Sequence, residues 1–236
     1  MSDNIVVVQA RMGSSRLPGK SMMLIGEKPM LDYLIETLLN VFDKEDIHIA
    51  TSLNEENNVI REYAESKRIA CYTGDEDNVA SRYFRILKSQ SRKKTLYRIC
   101  GDSPYYDIEI LEKGKKIMSD SSIEFASSMP NKGYPMGCNL EVIKTDLFLQ
   151  SYPNFNKKNH FEHVMPYFYE NIENFNSSLI ACEEEGYSYE KYKFSVDTTE
   201  DFLVAKYMLE KMNFEPWKYE LKSKFEIQNR YKKICL

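Results

Sequence analysis

The 236-residue chain has little cysteine, and what it has is scattered: Cys71, Cys100, Cys138, Cys182 and Cys235. Five is an odd number, and no two stand in a Cys-x-x-Cys pair. A disulfide framework and a zinc site are therefore not expected, and a reducing compartment is. No run reaches the ~18 apolar residues that a membrane span needs. The first residues combine an acidic Asp3 with a short apolar stretch and then Arg11, where a signal peptide needs a basic start and a longer apolar core. A cytoplasmic protein is expected, with no membrane partner. Positive charge is also not in excess. The net charge of −4 advertises no basic surface, which argues against a nucleic-acid partner. Neither a repeat nor a low-complexity linker is present. The apolar share of 42% and charged share of 29% are those of an ordinary soluble globular chain.

What is there is a regular alternation. Ile5-Val-Val-Val8 is a β-branched apolar run of the kind that forms strands buried on both faces. From Pro29 to Leu39 the apolar residues fall at helical spacing. Further strands are expected at 47–50, 69–72 and 96–100, with helices at 55–67 and 78–89 between them. This order predicts a three-layer α/β/α domain of Rossmann-like type around a mainly parallel sheet. The second half is less regular, with strands expected at 123–127, 140–143 and 192–196 and helices at 160–171 and 201–211. Residues 1–211 are read as the main domain. Residues 212–236, charged with scattered aromatics from Trp217 onward, are read as an appendage of it.

Three segments can carry chemistry. The first, Gln9-Ala-Arg-Met-Gly-Ser-Ser-Arg-Leu-Pro-Gly-Lys20, follows the first strand directly and so lies at its carboxyl end, where open α/β sheets bind ligands. Gly13, Ser14, Ser15 and Gly19 free the backbone to cradle phosphate oxygens, and Arg11, Arg16 and Lys20 add charge-assisted bonds. Gly19-Lys20-Ser21 ends like a Walker A motif. The place that motif reserves for its first glycine holds Ser14, however, with Gly13 one position too far away. A P-loop kinase is thus a runner-up. The second segment, Gly101-Asp102-Ser103-Pro104, puts a carboxylate at the end of another strand, facing the same crevice. Magnesium takes one or two carboxylates together with substrate phosphates, although Asp102 alone could equally be a turn residue. The third, Val196-Asp197-Thr198-Thr199-Glu200-Asp201, offers Asp197 either as a second carboxylate or as a helix N-cap with Glu200 completing a capping box.

Taken together, these segments resemble the cytidylyltransferases that make CMP-activated acidic sugars, a family that includes the CMP-Kdo and CMP-acylneuraminate synthetases. The branch that includes the spore-coat polysaccharide biosynthesis protein F is most similar. The resemblance runs over roughly residues 4–210 and continues through Gly74–Tyr83, Arg98–Pro104, Tyr134–Val142, Phe161–Tyr167 and Phe194–Asp201. It implies a nucleotide-diphospho-sugar transferase fold, CTP as donor and a magnesium ion held by Asp102 and Asp197. It also implies a sugar acceptor, release of pyrophosphate and a homodimer. Arg16, Lys20, Asp102 and Asp197 are the implied catalytic residues. Ala10, Arg11, Gly13, Ser14, Asn78, Ser81 and Arg98 are the implied further nucleotide contacts, and Asn139, Glu141, Glu162 and His163 the implied acceptor contacts.

This chain departs from the pattern at three places. Cys100 stands where CMP-Kdo synthetases carry glutamine, Thr199 replaces a usual proline, and Asn139 replaces a frequent aspartate. The last of these keeps a neutral polyol or sugar phosphate open as acceptor. A non-catalytic nucleotide-binding protein of the same fold is the remaining alternative. His160 and His163 stand at i and i+3 without further ligands and are read as structural or surface residues rather than a metal site, with an acceptor contact for Glu162 or His163 left open.

Overall fold

The computed structural model describes residues 2–129, 134–182 and 191–235. The opening apolar run forms β1 (Asn4–Gln9), and its residues 5–8 are inaccessible to solvent. A two-residue hairpin, β2 (Leu24–Ile25) and β3 (Lys28–Pro29), leads into α1 (Met30–Leu39). Next come β4 (Ile47–Ser52), α2 (Asn58–Lys67), β5 (Ala70–Gly74), α3 (Val79–Ser89) and β6 (Thr95–Cys100). After α4 (Ile108–Met118) the order becomes β7 (Phe125–Ser127), β8 (Glu141–Lys144), α5 (Thr145–Ser151), α6 (Lys158–His163), α7 (Pro166–Glu170), β9 (Ser177–Leu179), α8 (Thr199–Lys211) and α9 (Leu221–Cys235).

Seven strands form one sheet in the order β5-β4-β1-β6-β8-β7-β9. The first four are parallel, β8 is antiparallel to β6 and to β7, and β9 runs parallel to β7. Alternation along β1 divides the core in two. Val6 and Val8 pack with residues of α1, α2, α4, α8 and α9, whereas Ile5 and Val7 pack with α3, α5 and α7. The result is the expected three-layer architecture with a mostly parallel sheet. Because β1 has β4 on one side and β6 on the other, the chain reverses direction across the sheet at β1. A crevice opens there, at the carboxyl ends of β1 and β6.

Three expectations are corrected. The helix expected over 160–171 is two short helices. Val164 sits at φ +73°, which no helix can propagate, and Pro166 starts a new one. The strand expected over 192–196 does not join the sheet; its ladder is a single bridge between Lys193 and Met136. The Phe194 amide donates to Met136 O (2.6 Å) at that bridge, and the Val196 amide turns to Asp102 O (2.8 Å). Gly137 allows this approach, since a Cβ there would lie 2.2 Å from the Ser195 nitrogen. The N-cap of the helix expected from 201 is not Asp197. Thr198 caps α8 and Asp201 completes the capping box, one residue later than the Asp197–Glu200 reading. The segment read as an appendage forms α9, which buries Phe225 in the larger core. The outer bounds of the two domain readings, residues 1 and 236, lie outside the described residues.

Candidate active site

The loop after β1 is shaped by its own backbone. Met12 O accepts from the amides of Ser14 and Gly19, both at 2.8 Å, which draws the two ends of the Gly/Ser stretch together. Gly19 takes φ +75°, a conformation that favours glycine. The loop after β6 comes against it. The Gly101 amide donates to Gln9 O at 2.8 Å, and a Cβ on Gly101 would stand 2.9 Å from that of Ala10. Glycine at 101 therefore lets the carboxylate of the next residue reach the first loop.

At that junction Lys20, 8% exposed, donates to Asp102 Oδ2 (3.0 Å), Val196 O (2.5 Å) and Asp197 Oδ1 (3.1 Å). Three acceptors match the three protons of an ammonium. Arg16 Nη2 reaches the same Asp197 oxygen at 3.1 Å, and Lys193 Nζ takes the other oxygen at 3.0 Å. Burial pushes the Asp197 pKa upward, but the bonds from Lys193 and Lys20 outweigh it and hold it below the usual carboxylate range. Asp197 is thus an anion held by cations, relieved of capping because Thr198 and Asp201 do that work.

Two clefts meet at this cluster. The first, about 360 Å³, has Ala10, Arg11, Ser14, Arg16 and Lys20 on one wall and Asp102 and Asp197 at its floor. The second, about 270 Å³, shares Cys100, Asp102 and Asp197 with the first and extends to Arg98, Asn139 and Glu141. The expected nucleotide and acceptor residues are therefore distributed as follows. Arg11 faces the first cleft, bridged to Glu76 at 2.9 Å. Gly13 does not line it; its missing side chain makes room for Glu56, whose Oε1 would lie 2.8 Å from a Cβ. Asn78 and Ser81 also stand off the cleft, because they cap α3: Asn78 Oδ1 accepts from the Ser81 amide, and Ser81 Oγ donates to Asn78 O. Arg98 lies in the second cleft and not the first. Its Nη1 is 2.6 Å from Glu141 Oε2 and its Nη2 is 3.2 Å from Gln9 Oε1. Asn139 and Glu141 share the second cleft, whereas Glu162 and His163 line the first.

Several residues at the site are not among the expected contacts, although Arg82 lies in the Gly74–Tyr83 segment and Ser195 in Phe194–Asp201. Arg82, one position after Ser81, lines the first cleft with its guanidinium fixed by Asp75 O (2.7 Å) and Glu76 O (2.8 Å). Burial lowers its pKa. Tyr169 donates to Glu141 Oε1 at 2.7 Å. Ser195 lines the second cleft with a buried hydroxyl that has no partner. Only the position of Lys193, four residues before Asp197, could have drawn notice to it.

A divalent cation fits this donor set. Asp102 and Asp197 are two hard carboxylates that converge on one positive group, and they would hold magnesium, which binds through one or two carboxylates together with substrate phosphates. Among the described residues no cluster of three or more His, Cys, Asp or Glu side chains offers an all-protein metal cage.

Comparison with known proteins follows the same lines. A family profile for cytidylyltransferases matches residues 5–233. The spore coat polysaccharide biosynthesis protein SpsF of Bacillus subtilis is 24% identical over 221 residues, covering 92% of this chain and 90% of that protein. A 3-deoxy-manno-octulosonate cytidylyltransferase of Alteromonas mediterranea is 31% identical over 111 residues, 46% of this chain and 43% of that one. A solved cytidylyltransferase from Leptospira borgpetersenii superposes with a TM-score of 0.89 at 23% identity, covering 99% of this chain and 97% of its own.

Proposed function

The chain belongs to the cytidylyltransferase family and is a CTP-using nucleotidyltransferase, and we propose that it transfers the CMP group of CTP to a hydroxyl of an acidic sugar, releasing pyrophosphate, for synthesis of a surface polysaccharide. The observation that carries this reading is the junction of two clefts at Asp102, Asp197 and Lys20. One cleft has the cationic wall a triphosphate needs. The other brings an acceptor to the same two carboxylates. The relatives named for spore-coat polysaccharide and for 3-deoxy-manno-octulosonate support the acceptor class.

In this reading the acceptor oxygen bonds to the α-phosphorus, the bond from that phosphorus to the β-phosphate oxygen breaks, and the hydroxyl proton leaves to solvent. The work is positioning and charge stabilisation. Arg11 and Arg16, both substantially exposed, orient the triphosphate and meet the charge that grows on pyrophosphate. Lys20 holds the two carboxylates in register from beneath. Magnesium, the proposed cofactor, would be held by Asp102 and Asp197 and would supply charge neutralisation at the phosphates. A homodimer belongs to the same proposal, and sizing by light scattering tests it. Cytoplasmic placement does too, supported by the free thiols of Cys71, Cys100, Cys138 and Cys182. No helix among the described residues is long and apolar enough to cross a membrane.

The test is pyrophosphate release with each of the four nucleoside triphosphates and a panel of sugar acids. Release with CTP and a sugar acid is expected; its absence across the panel sinks the acidic acceptor. A second reading, distinct from the polyol or sugar phosphate that the sequence leaves open, is an uncharged polyol or sugar as acceptor, and two observations favour it. Arg98 is neutralised by Glu141, and Ser195 offers an unpartnered hydroxyl in the same cleft. Neutral sugars in the same panel separate the two.

A further inference from the structure

Helix α9 buries two polar side chains one turn apart, Lys224 (0% exposed) and Gln228 (3%). Residues four apart share one face of a helix. An ammonium withdrawn from water is tolerated only where it is paired and hydrogen-bonded. Lys224 Nζ donates to Tyr106 O at 3.0 Å and to Asp107 Oδ2 at 2.9 Å. These residues lie on the connection that carries Asp102 from β6 into α4, and Asp107 is the N-cap of α4, accepting from the Glu109 amide at 3.0 Å. Gln228 clasps the other side. Its Nε2 donates to Lys193 O at 2.8 Å and, more distantly, to Met208 Sδ, while its Oε1 accepts from the Lys193 amide at 3.4 Å. The Lys193 ammonium then bridges Asp197 Oδ2 (3.0 Å) and Asp201 Oδ2 (2.5 Å). Asp201 in turn accepts from the backbone amides of Asp197 and Thr198.

One helix face therefore grips both segments that carry the site's carboxylates, and neither Lys224 nor Gln228 lines either cleft. Stability alone does not call for this. Apolar residues of similar volume in place of a buried ion pair are often neutral or stabilising. We infer that Lys224 and Gln228 brace the site at two points and set how Asp102 and Asp197 face each other, with Lys193 passing the constraint from α9 to Asp197. All three are positioning residues. The inference rests on the reading of Asp102 and Asp197 as the metal-binding pair.

Lys224→Met strips one partner from a fully buried ion pair and is expected to unfold the chain, so Gln228→Met and Lys193→Met carry the test. Ile227→Ala, on the same helix and without a polar contact to either segment, is the control for packing loss. Mn2+ binding to each protein with CTP is followed by electron paramagnetic resonance, alongside kcat, KM for CTP and Tm. Gln228→Met and Lys193→Met are expected to weaken Mn2+ binding and lower kcat by about 10–100-fold, the effect typical of groups that orient metal ligands. KM for CTP should change less. Lys193→Arg should recover most of the metal affinity. Ile227→Ala should lower Tm and leave metal affinity at the wild-type value. Wild-type Mn2+ affinity in both polar variants overturns the inference and leaves the metal reading standing. Equal weakening in Ile227→Ala overturns it as well. If the wild-type protein with CTP binds no Mn2+, the metal reading fails and the inference goes with it.

Discussion

Lys20 is where the residue-scale account is sharpest. Its position in a Gly/Ser loop with two arginines suggests a phosphate cation, and its side chain instead runs inward to three acceptors, two of them carboxylates. Replacing it with methionine leaves Asp102 and Asp197 facing each other without their shared counter-ion. We expect Lys20→Met, Asp102→Asn and Asp197→Asn each to lower kcat/KM by about 10²–10³, the usual effect of removing one electrostatic element of a site. Steady-state pyrophosphate release checks this, and full activity in both aspartate variants rules out their role. The sequence made these three groups legible because each sits in a polar motif, Lys20 and Asp102 in loops that follow buried strands. It did not show which way they point. Asn78 and Ser81 have the polarity of base contacts, but a helix start has first claim on such side chains, and they serve α3. Arg82, next to them, reaches the cleft because the helix turn carries it inward.

At the scale of elements, the start of α8 decides what Asp197 can do. Thr198 Oγ1 accepts from the Asp201 amide at 3.2 Å, and Asp201 Oδ2 accepts from the Thr198 amide at 3.0 Å. Thr198→Ala should cost about 1 kcal/mol of stability, measured by urea denaturation, with the helix start loosened beside Asp197. A capping pattern can be seen in Asp197-Thr-Thr-Glu-Asp201, but its frame cannot, since both Asp197 and Thr198 are good caps. The parallel strands were legible, β1 as a β-branched run and the others as short stretches between helical ones. The 160–171 segment was not, because its apolar spacing is helical while Val164 and Pro166 divide it.

Strand β4 adds a pH dependence. His48 is 3% exposed and neither ring nitrogen has a partner. Burial, with Lys93 nearby, lowers its pKa from 6.5 to about 4. The unfolded chain therefore takes up a proton at a higher pH than the folded one. Stability is complete above the unfolded value and falls as the pH drops from 6.5 towards 4, by up to about 3 kcal/mol. His48→Leu should flatten the upper part of that fall in urea midpoints measured between pH 7 and 5. An unchanged slope would assign the acid sensitivity to other groups.

For the whole molecule, the proposed site brings four stretches of chain together at the carboxyl ends of β1 and β6. The loop after β1 brings Lys20, the loop after β6 brings Asp102, the segment before α8 brings Asp197, and α9 holds the latter two in place. The order of strands and helices was enough to put the first two at the same carboxyl end of a parallel sheet; that β1 and β6 are neighbours came from the fold. It could not predict the contribution of α9, where charged residues alternate with scattered apolar ones and the buried Lys224 looks like one more surface lysine until the fold closes over it.

In the proposed function this junction binds CTP through its first cleft and a metal through its two carboxylates. The decisive measurement is thermal unfolding with each of the four nucleoside triphosphates, with and without Mg2+. Ligand at about one hundred times its Kd stabilises a protein by about 2.7 kcal/mol. CTP with Mg2+ is expected to raise Tm most, and the Mg2+-dependent part of the rise is expected to disappear in the Asp102→Asn/Asp197→Asn double variant. Equal shifts with all four nucleotides, or a full CTP and Mg2+ shift in the double variant, would contradict the proposed function.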